Sequence, residues 1–326
     1  MREPSRLRGR AHFDISVVVP CLNEAENIHA VHKEIVQHLG EHALEILYVD
    51  DGSTDSTLPL IRELATSDPR VSYLSFSRNF GLESAFSAGF IYARQAWVLQ
   101  LDADLQFPPE EGLRLIERAV EGYDAVFGIR VDRQDGLLRR AASGLHDLTA
   151  RRILGIELPA GASSFRLVRS DLARRVVDVQ LGSPYFLATL PRLTRHWTTE
   201  PVAHRARRAG EPKVTVTGLA RHALELFIGH SRRPMVLAML ALLVGAGLAL
   251  VAAVAASLGM ADLALPLVSV AVALGLGALA VVSQHLVHVG RGQPTVPRFL
   301  IRESNLPIEP RHDLTSPARA ALREQA

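Results

Sequence analysis

Between residues 14 and 129, short apolar runs rich in β-branched side chains alternate with segments whose apolar residues recur at helical spacing. The runs cover 15–20, 45–49, 71–76, 97–101 and 125–129, and each has the near-continuous apolar character that an internal parallel strand requires. Between them, Ile28, Val31, Ile35 and Leu39 fall on one helical face, and 58–65, 82–94 and 110–120 read as further helices. Strand and helix repeated in this order predict an α/β fold, a mostly parallel sheet with helices on both faces. Ligands of such sheets bind outside the carboxyl ends of the strands. Polar residues gather at those ends: Asn23-Glu24, Asp50-Asp51-Gly52-Ser53, Ser77-Arg78-Asn79, and the pair Asp102 and Asp104. Four polar clusters along one edge imply a crevice the size of a nucleotide. No Gly-x-Gly-x-x-Gly follows the first strand and no Gly-Lys-Ser/Thr loop occurs. Carboxylates, backbone and metal would therefore hold such a ligand, rather than a glycine-rich cradle.

Further along, the pattern changes twice. From 130 to 200 the periodicity weakens and arginines crowd, among them Arg130, Arg139, Arg140 and Arg166. Some of these serve solvated helix faces, and a cluster at the mouth of the crevice suits a second phosphate, on an acceptor. Residues 218–233 place Ala220, Ala223, Leu224 and Phe227 on one helical face and Arg221, His222 and Glu225 on another, the arrangement of a helix lying in a membrane interface. Two uncharged stretches follow, and spans are expected at about 235–258 and 263–286, each long enough to cross a hydrocarbon core. The short turn between them makes a hairpin. Arg232 and Arg233 precede it and Arg291, Arg298 and Arg302 follow it, which puts both flanks in the cytoplasm. The expected organisation is a basic tail over 1–13, a cytoplasmic domain over 14–217 and an interfacial helix over 218–233. Two membrane helices within 234–289 and a partly disordered tail over 290–326, with little means to fold alone, complete it. The protein is thus expected in the cell membrane, multi-pass, with both termini cytoplasmic.

Composition adds little to this picture. The chain has 326 residues and a formal charge of +2, so no nucleic-acid partner is expected. Lys33 and Lys213 are the only lysines among 36 basic residues. Guanidinium groups suit bidentate phosphate contacts, and an arginine bias also follows from base composition alone. The single Cys21 excludes an intrachain disulfide. The chemistry centres on Asp102 and Asp104. Carboxylates two residues apart repel unless something positive lies between them, and a divalent cation shared with substrate phosphates resolves this. A polar turn is the other reading of Asp-x-Asp. Likewise Asp50-Asp51-Gly52-Ser53 is either a ligand loop or a turn with Ser53 or Asp55 capping the next helix; one aspartate is expected to do structural work and the other to face ligand.

Taken together and in order, several stretches resemble polyprenyl-phosphate glycosyltransferases of glycosyltransferase family 2. They are Val18-Val19-Pro20-Cys21-Leu22-Asn23-Glu24, Val49-Asp50-Asp51-Gly52-Ser53-Thr54-Asp55, Ser77-Arg78-Asn79-Phe80-Gly81 and Asp102-Ala103-Asp104-Leu105-Gln106. Gly128-Ile129-Arg130, Ser164-Phe165-Arg166-Leu167 and the stretch from His204 to Lys213 continue the resemblance, which spans about 14–290. It implies a nucleotide-diphospho-sugar transferase fold and inverting transfer of one sugar from a UDP- or GDP-sugar to a polyprenyl phosphate. By the same resemblance, Asp51 and the Pro20, Asn23 and Glu24 region, with Arg78, would contact the donor. Asp102, Asp104 and Gln106 would surround Mg²⁺ or Mn²⁺ on its diphosphate. Arg130 and one of Arg139 or Arg140 would hold the lipid phosphate, Arg166 would be a further substrate-binding residue, and Arg207 and Lys213 would close over the donor. Membrane bilayer and lipid are the implied partners, and assembly of several copies is a further possibility in this family. Ser164 stands where many members carry an aspartate proposed as the base, Leu82 where Lys is common, Phe107 where Asp is common, and Pro212 and Val214 where Ser and an aromatic or Leu are common. These departures bear on the donor and the closing loop. The alternatives are a processive polysaccharide synthase and a catalytically impaired scaffold of the same fold.

Overall fold

The computed structural model describes residues 13–130, 159, 161–179, 186–205, 233–292, 299–309 and 312–314. Arg139, Arg140, Arg207 and Lys213, the segment 1–12 and all but the last residue of the helix expected over 218–233 lie outside the described residues. Eight strands form one sheet in the order β7-β5-β6-β4-β1-β2-β3-β8. They are β1 (Ile15–Cys21), β2 (Ala43–Asp50), β3 (Val71–Phe76), β4 (Trp97–Gln100), β5 (Ala125–Arg130), β6 (Ala162–Arg169), β7 (Trp197–Val202) and β8 (Ile301–Ser304). The helices are α1 (Ile28–Leu39), α2 (Thr57–Ser67), α3 (Leu82–Tyr92), α4 (Gly112–Val120), α5 (Ser170–Asp178), α6 (Phe186–Leu193), α7 (Arg233–Ser257) and α8 (Ala261–Gly292).

Every strand and helix expected between 14 and 129 is present, with shifted ends. The helix expected over 110–120 opens as a single 3₁₀ turn, Pro109–Glu111, with Pro109 at its first position, where a missing N–H costs nothing. Alternation along the central strands supplies both faces of the core. Val17 and Val19 pack with Ile28, Ile61 and Leu115, from α1, α2 and α4. Val18 points the other way and packs with Phe86, Leu172 and Leu190, from α3, α5 and α6. Burial on both faces is why these strands read as continuous apolar runs. On one side α3 presses so closely on β1 that a Cβ at Gly89 would lie 2.2 Å from Val18 Cγ1, so only glycine fits.

Strands β1 to β4 are parallel, and the chain passes from β1 to β2 and β3 on one side before returning to place β4 on the other. The order reverses between β1 and β4, which opens a crevice at their carboxyl ends. Strand β6 runs antiparallel to both β4 and β5, and β7 runs parallel to β5. The carboxyl ends of β5 and β7 therefore emerge at the same edge as that of β4.

After the hairpin the chain does more than trail away. Strand β8 pairs antiparallel with β3, and Arg62 grips Glu303 through two hydrogen bonds. Phe299 is fully buried between Phe76 and His312. The described part of the expected tail does not fold alone: it borrows the open edge of β3 and so satisfies its backbone on an existing template.

Helices α7 and α8 are long and apolar enough to cross a membrane. At 25 and 32 residues they measure roughly 37 and 48 Å, against a hydrocarbon core of about 30 Å. The second runs past the expected end at 286. Small residues line their contact: Ala238, Gly245, Ala252 and Ala255 are the buried positions of α7, and Ala264 and Ala278 are buried on α8. Large residues such as Leu243, Leu250, Leu265 and Leu276 face outward, as a lipid-bathed hairpin requires.

Candidate active site

The carboxyl ends of β1, β2, β3, β4, β5 and β7 meet at one edge, together with the start of β6. At the end of β4, Leu101 still donates its N–H to Val18 O at 3.0 Å, and the chain then leaves the sheet. Leu105 turns it sharply with a positive φ of 57°, unusual for a branched residue. This turn lets Asp104 Oδ1 accept the Gln106 N–H at 3.1 Å. The register of β4 against β6 pairs Gln100 with Arg166, so Ser164 falls opposite Asp102 and donates its hydroxyl to Asp102 Oδ2. A hydroxyl that donates to this carboxylate is no base. Burial, and secondarily Asp104, raise the pKa of Asp102, while the Ser164 bond and the charges of Arg166 and Arg130 oppose the rise.

Arg166, expected among the substrate-binding residues, lies beneath the crevice rather than lining it. It is only 3 % exposed, donates Nε to Gln100 Oε1 at 2.7 Å, and sits over the rings of Phe186 and Phe86. Its charge serves the site from below. Arg130, by contrast, is exposed at the end of β5, 5.4 Å above the Phe107 ring and within electrostatic reach of Asp102.

Two residues at this edge were not singled out from the sequence. His204 follows β7 and packs edge-on against Phe107 at 5.1 Å; its Nε2 is buried with no hydrogen-bond partner among the described residues. Burial and Arg130 lower its pKa, against the pull of Asp104. Its place at the head of the matching stretch from His204 to Lys213 was the available signal. Glu83, in the first turn of α3, has a buried Oε2 with no such partner, and burial raises its pKa to about 7 while Arg166 pulls the other way. No periodicity distinguishes it from a solvated helix residue.

On the other flank, both aspartates of the β2 loop do structural work. Asp50 accepts the Ser53 N–H at 3.0 Å and the Ser75 hydroxyl at 2.7 Å. Asp51 accepts the N–H groups of Phe80 at 2.7 Å and Gly81 at 2.9 Å, one on each oxygen. Burial raises its pKa from 3.8 to about 6, although those two donors and Arg78 pull it down. Gly52 permits the approach: its φ is +72°, and a Cβ there would lie 2.5 Å from the Arg78 carbonyl carbon. Asn23, also at positive φ, accepts the Thr54 N–H at 2.9 Å, and Glu24 accepts from the Asn27 amide at 2.7 Å. Asp55 accepts from Thr57 N–H and hydroxyl and so anchors α2. Pro20 is buried at the end of β1, and Arg78 lies 4.1 Å over the Phe80 ring. The structure thus gathers Pro20, Asn23, Glu24, Asp51 and Arg78 on one side of the crevice and Asp102, Asp104, Gln106, Arg130 and Ser164 on the other.

Among the described residues no three His, Cys, Asp or Glu side chains form a ready-made cation cage. Two carboxylates and an amide instead fit a hard divalent ion that keeps most positions for phosphate oxygens and water, the habit of Mg²⁺.

Known proteins resemble this chain in sequence and in shape. Residues 16–177 match the family model described as glycosyl transferase family 2. An uncharacterized glycosyltransferase, YkcC, of Bacillus subtilis is 30% identical over 231 residues, 70% of this chain and 71% of that one. An undecaprenyl-phosphate 4-deoxy-4-formamido-L-arabinose transferase of Pseudomonas aeruginosa is 34% identical over 239 residues, 72% of this chain and 70% of that one. A crystal structure titled only as that of a mycobacterial protein superposes with a TM-score of 0.50 at 22% identity, over 68% of this chain and 76% of that one, and shares the fold. With relatives matched over seven-tenths of both chains and an aspartate-lined edge at the switch point of its sheet, this protein belongs to glycosyltransferase family 2 and is a glycosyltransferase.

Proposed function

We propose that the enzyme moves one sugar from a nucleoside diphosphate donor to the phosphate of a polyprenyl lipid at the cytoplasmic face of the bilayer. The direction of β8 carries this reading. The strand starts at the aspartate edge of the sheet, and Phe299 lies only seven residues beyond the end of α8. Seven steps of extended chain reach at most about 25 Å. One end of the hairpin is therefore tethered within that distance of Phe299, on the edge of the sheet where the aspartates lie, as an acceptor with its headgroup at the membrane surface requires. The arginines flanking the hairpin favour the cytoplasmic side, and the named acceptor of the Pseudomonas aeruginosa relative is of the same lipid class.

Asp51, with the Pro20, Asn23 and Glu24 loop and Arg78, meets the base and ribose. Asp102, Asp104 and Gln106 would hold Mg²⁺ or Mn²⁺, with His204 within electrostatic reach of Asp104. Such a cation, when bound, acts as a Lewis acid on the departing diphosphate. Arg130, with Arg139 or Arg140, aligns the acceptor phosphate. One of its oxygens bonds to the anomeric carbon on the face opposite the diphosphate, whose bond to that carbon breaks, and configuration inverts. A phosphate is already anionic near neutral pH, so alignment rather than deprotonation is what the site supplies, and Ser164 in place of an aspartate is compatible with turnover.

The test is direct. Purified protein in detergent, given undecaprenyl phosphate, Mn²⁺ and a panel of labelled UDP- and GDP-sugars, should yield a lipid carrying one sugar. Nucleotide binding without product from any donor would sink the reading, and longer products would indicate a processive synthase.

A further inference from the structure

We propose that Phe299 and β8 form a strap that positions the loop 77–81, so that the chain leaving the membrane is a working part of the donor site. The proposal rests on the reading that this loop meets the nucleotide. The loop is held from two sides. On one, Asp51 takes the N–H groups of Phe80 and Gly81. On the other, the Ser77 N–H donates to Leu300 O at 2.9 Å, and Phe299 stacks on Phe76 at 5.1 Å with the rings 11° apart. Phe76 in turn meets Phe80 edge-on at 5.8 Å, and Phe80 carries the Arg78 guanidinium over its face. An unbroken series of ring contacts thus links the first described residue after the hairpin to the loop that Asp51 holds.

The strap itself is anchored beyond the loop. Glu303 is gripped by Arg62 of α2 and accepts the Tyr73 hydroxyl at 2.9 Å. Asn305 pairs with the backbone of Tyr73 and Val71, and His312, stacked on Phe299, lies 3.0 Å from the Tyr92 hydroxyl. A strand that merely covered the open edge of β3 would need only the backbone ladder. The aromatic residue wedged ahead of that ladder, at its end nearest the site, is what a positioning role adds.

Phe299→Ala deletes one stacked pair from this series. In detergent-solubilised full-length protein, the Kd for UDP or GDP with Mn²⁺, and the donor KM, should rise about threefold to tenfold. The kcat at saturating donor and the KM for undecaprenyl phosphate should change less than twofold. Ile35→Ala, in α1 in the core on the opposite face of the sheet, is the control: it lowers the melting midpoint without moving the donor KM. Reciprocity adds a test on the wild type, because a strap that favours binding must be protected by it: UDP or GDP should slow amide exchange at 299–304 as well as at 77–81. Failure of the wild type to bind either nucleotide would remove the donor-site reading and this proposal with it. Wild-type binding with an unchanged Kd in Phe299→Ala, or protection confined to 77–81, would overturn the strap alone.

Discussion

Asp51→Asn removes a carboxylate that is 4 % exposed and whose pKa is raised from 3.8 to about 6. The folded state holds this proton more tightly than the unfolded chain does. The stability it contributes is therefore fully present below about pH 3.8 and is lost as the pH rises through about 6. A rise of roughly two pH units corresponds to at most about 3 kcal/mol. For a domain of this size each kcal/mol moves the melting midpoint by roughly 2–4 °C, so the group is worth about 6–12 °C. The amide has no such titration. Measured in micelles from pH 4 to 8, the midpoint of the wild type minus that of the variant should fall by up to that amount and level off above about pH 7. Nucleotide binding should move oppositely. The carboxylate accepts one N–H on each oxygen, whereas the amide can accept only on its single oxygen. Losing a hydrogen bond to a charged acceptor, about 1.5–3 kcal/mol, should weaken donor binding at neutral pH by about tenfold or more. In the wild type, affinity should decline below about pH 6 as one oxygen takes a proton. A midpoint difference that stays constant across the range, or unchanged donor affinity in the variant, would refute the reasoning.

Further outcomes follow from neighbouring residues. Ser164→Ala removes the hydrogen bond to Asp102 and should raise the Mn²⁺ concentration for half-maximal activity about tenfold, with kcat at saturating Mn²⁺ nearly retained; an unmoved Mn²⁺ requirement would count against the geometry. Asp104→Asn should lower product formation by about two orders of magnitude or more while the protein still inserts and melts normally, since charge stabilisation at the leaving group is the term removed. Gly52→Ala forces a side chain into positive φ and against the Arg78 backbone, so the melting midpoint and donor affinity should both fall, the strain costing about 1–3 kcal/mol; a variant indistinguishable from wild type would show that the loop relaxes freely. Gly245→Leu should pry α7 from α8, because even a Cβ there meets Ala271 O at 3.3 Å; membrane extraction should be unchanged while the midpoint in micelles drops.

The first five strands were legible because each is buried on both faces and so carries an uninterrupted apolar run within a few residues. Strands β6, β7 and β8 were not. β7 is half-buried along most of its length, and β8 has four residues with one fully buried. Their partners lie far off in sequence, and nothing local records the pairing. The aspartates at the site were legible for the converse reason: their spacing and their place after a strand are local facts. One of Asp50 and Asp51 was expected to do structural work and the other to face ligand; in the structure both accept structural hydrogen bonds. Both oxygens of each are engaged, by donors that only the neighbouring strands and the 80–81 loop could bring.

By itself the sequence determined the α/β alternation, the edge on which chemistry would sit and the two membrane-length helices, because periodicity and unbroken apolar length act over a turn or a strand at a time. Tertiary structure alone decided that Arg166 is a buried counter-charge, that Ser164 donates to Asp102, and that His204 and Glu83 reach the site. Each of these depends on strand register or on burial, and both are set by residues tens of positions away. It also decided that the post-hairpin chain rejoins the sheet, since an open edge offers hydrogen bonds to any strand delivered to it, and the hairpin delivers this one.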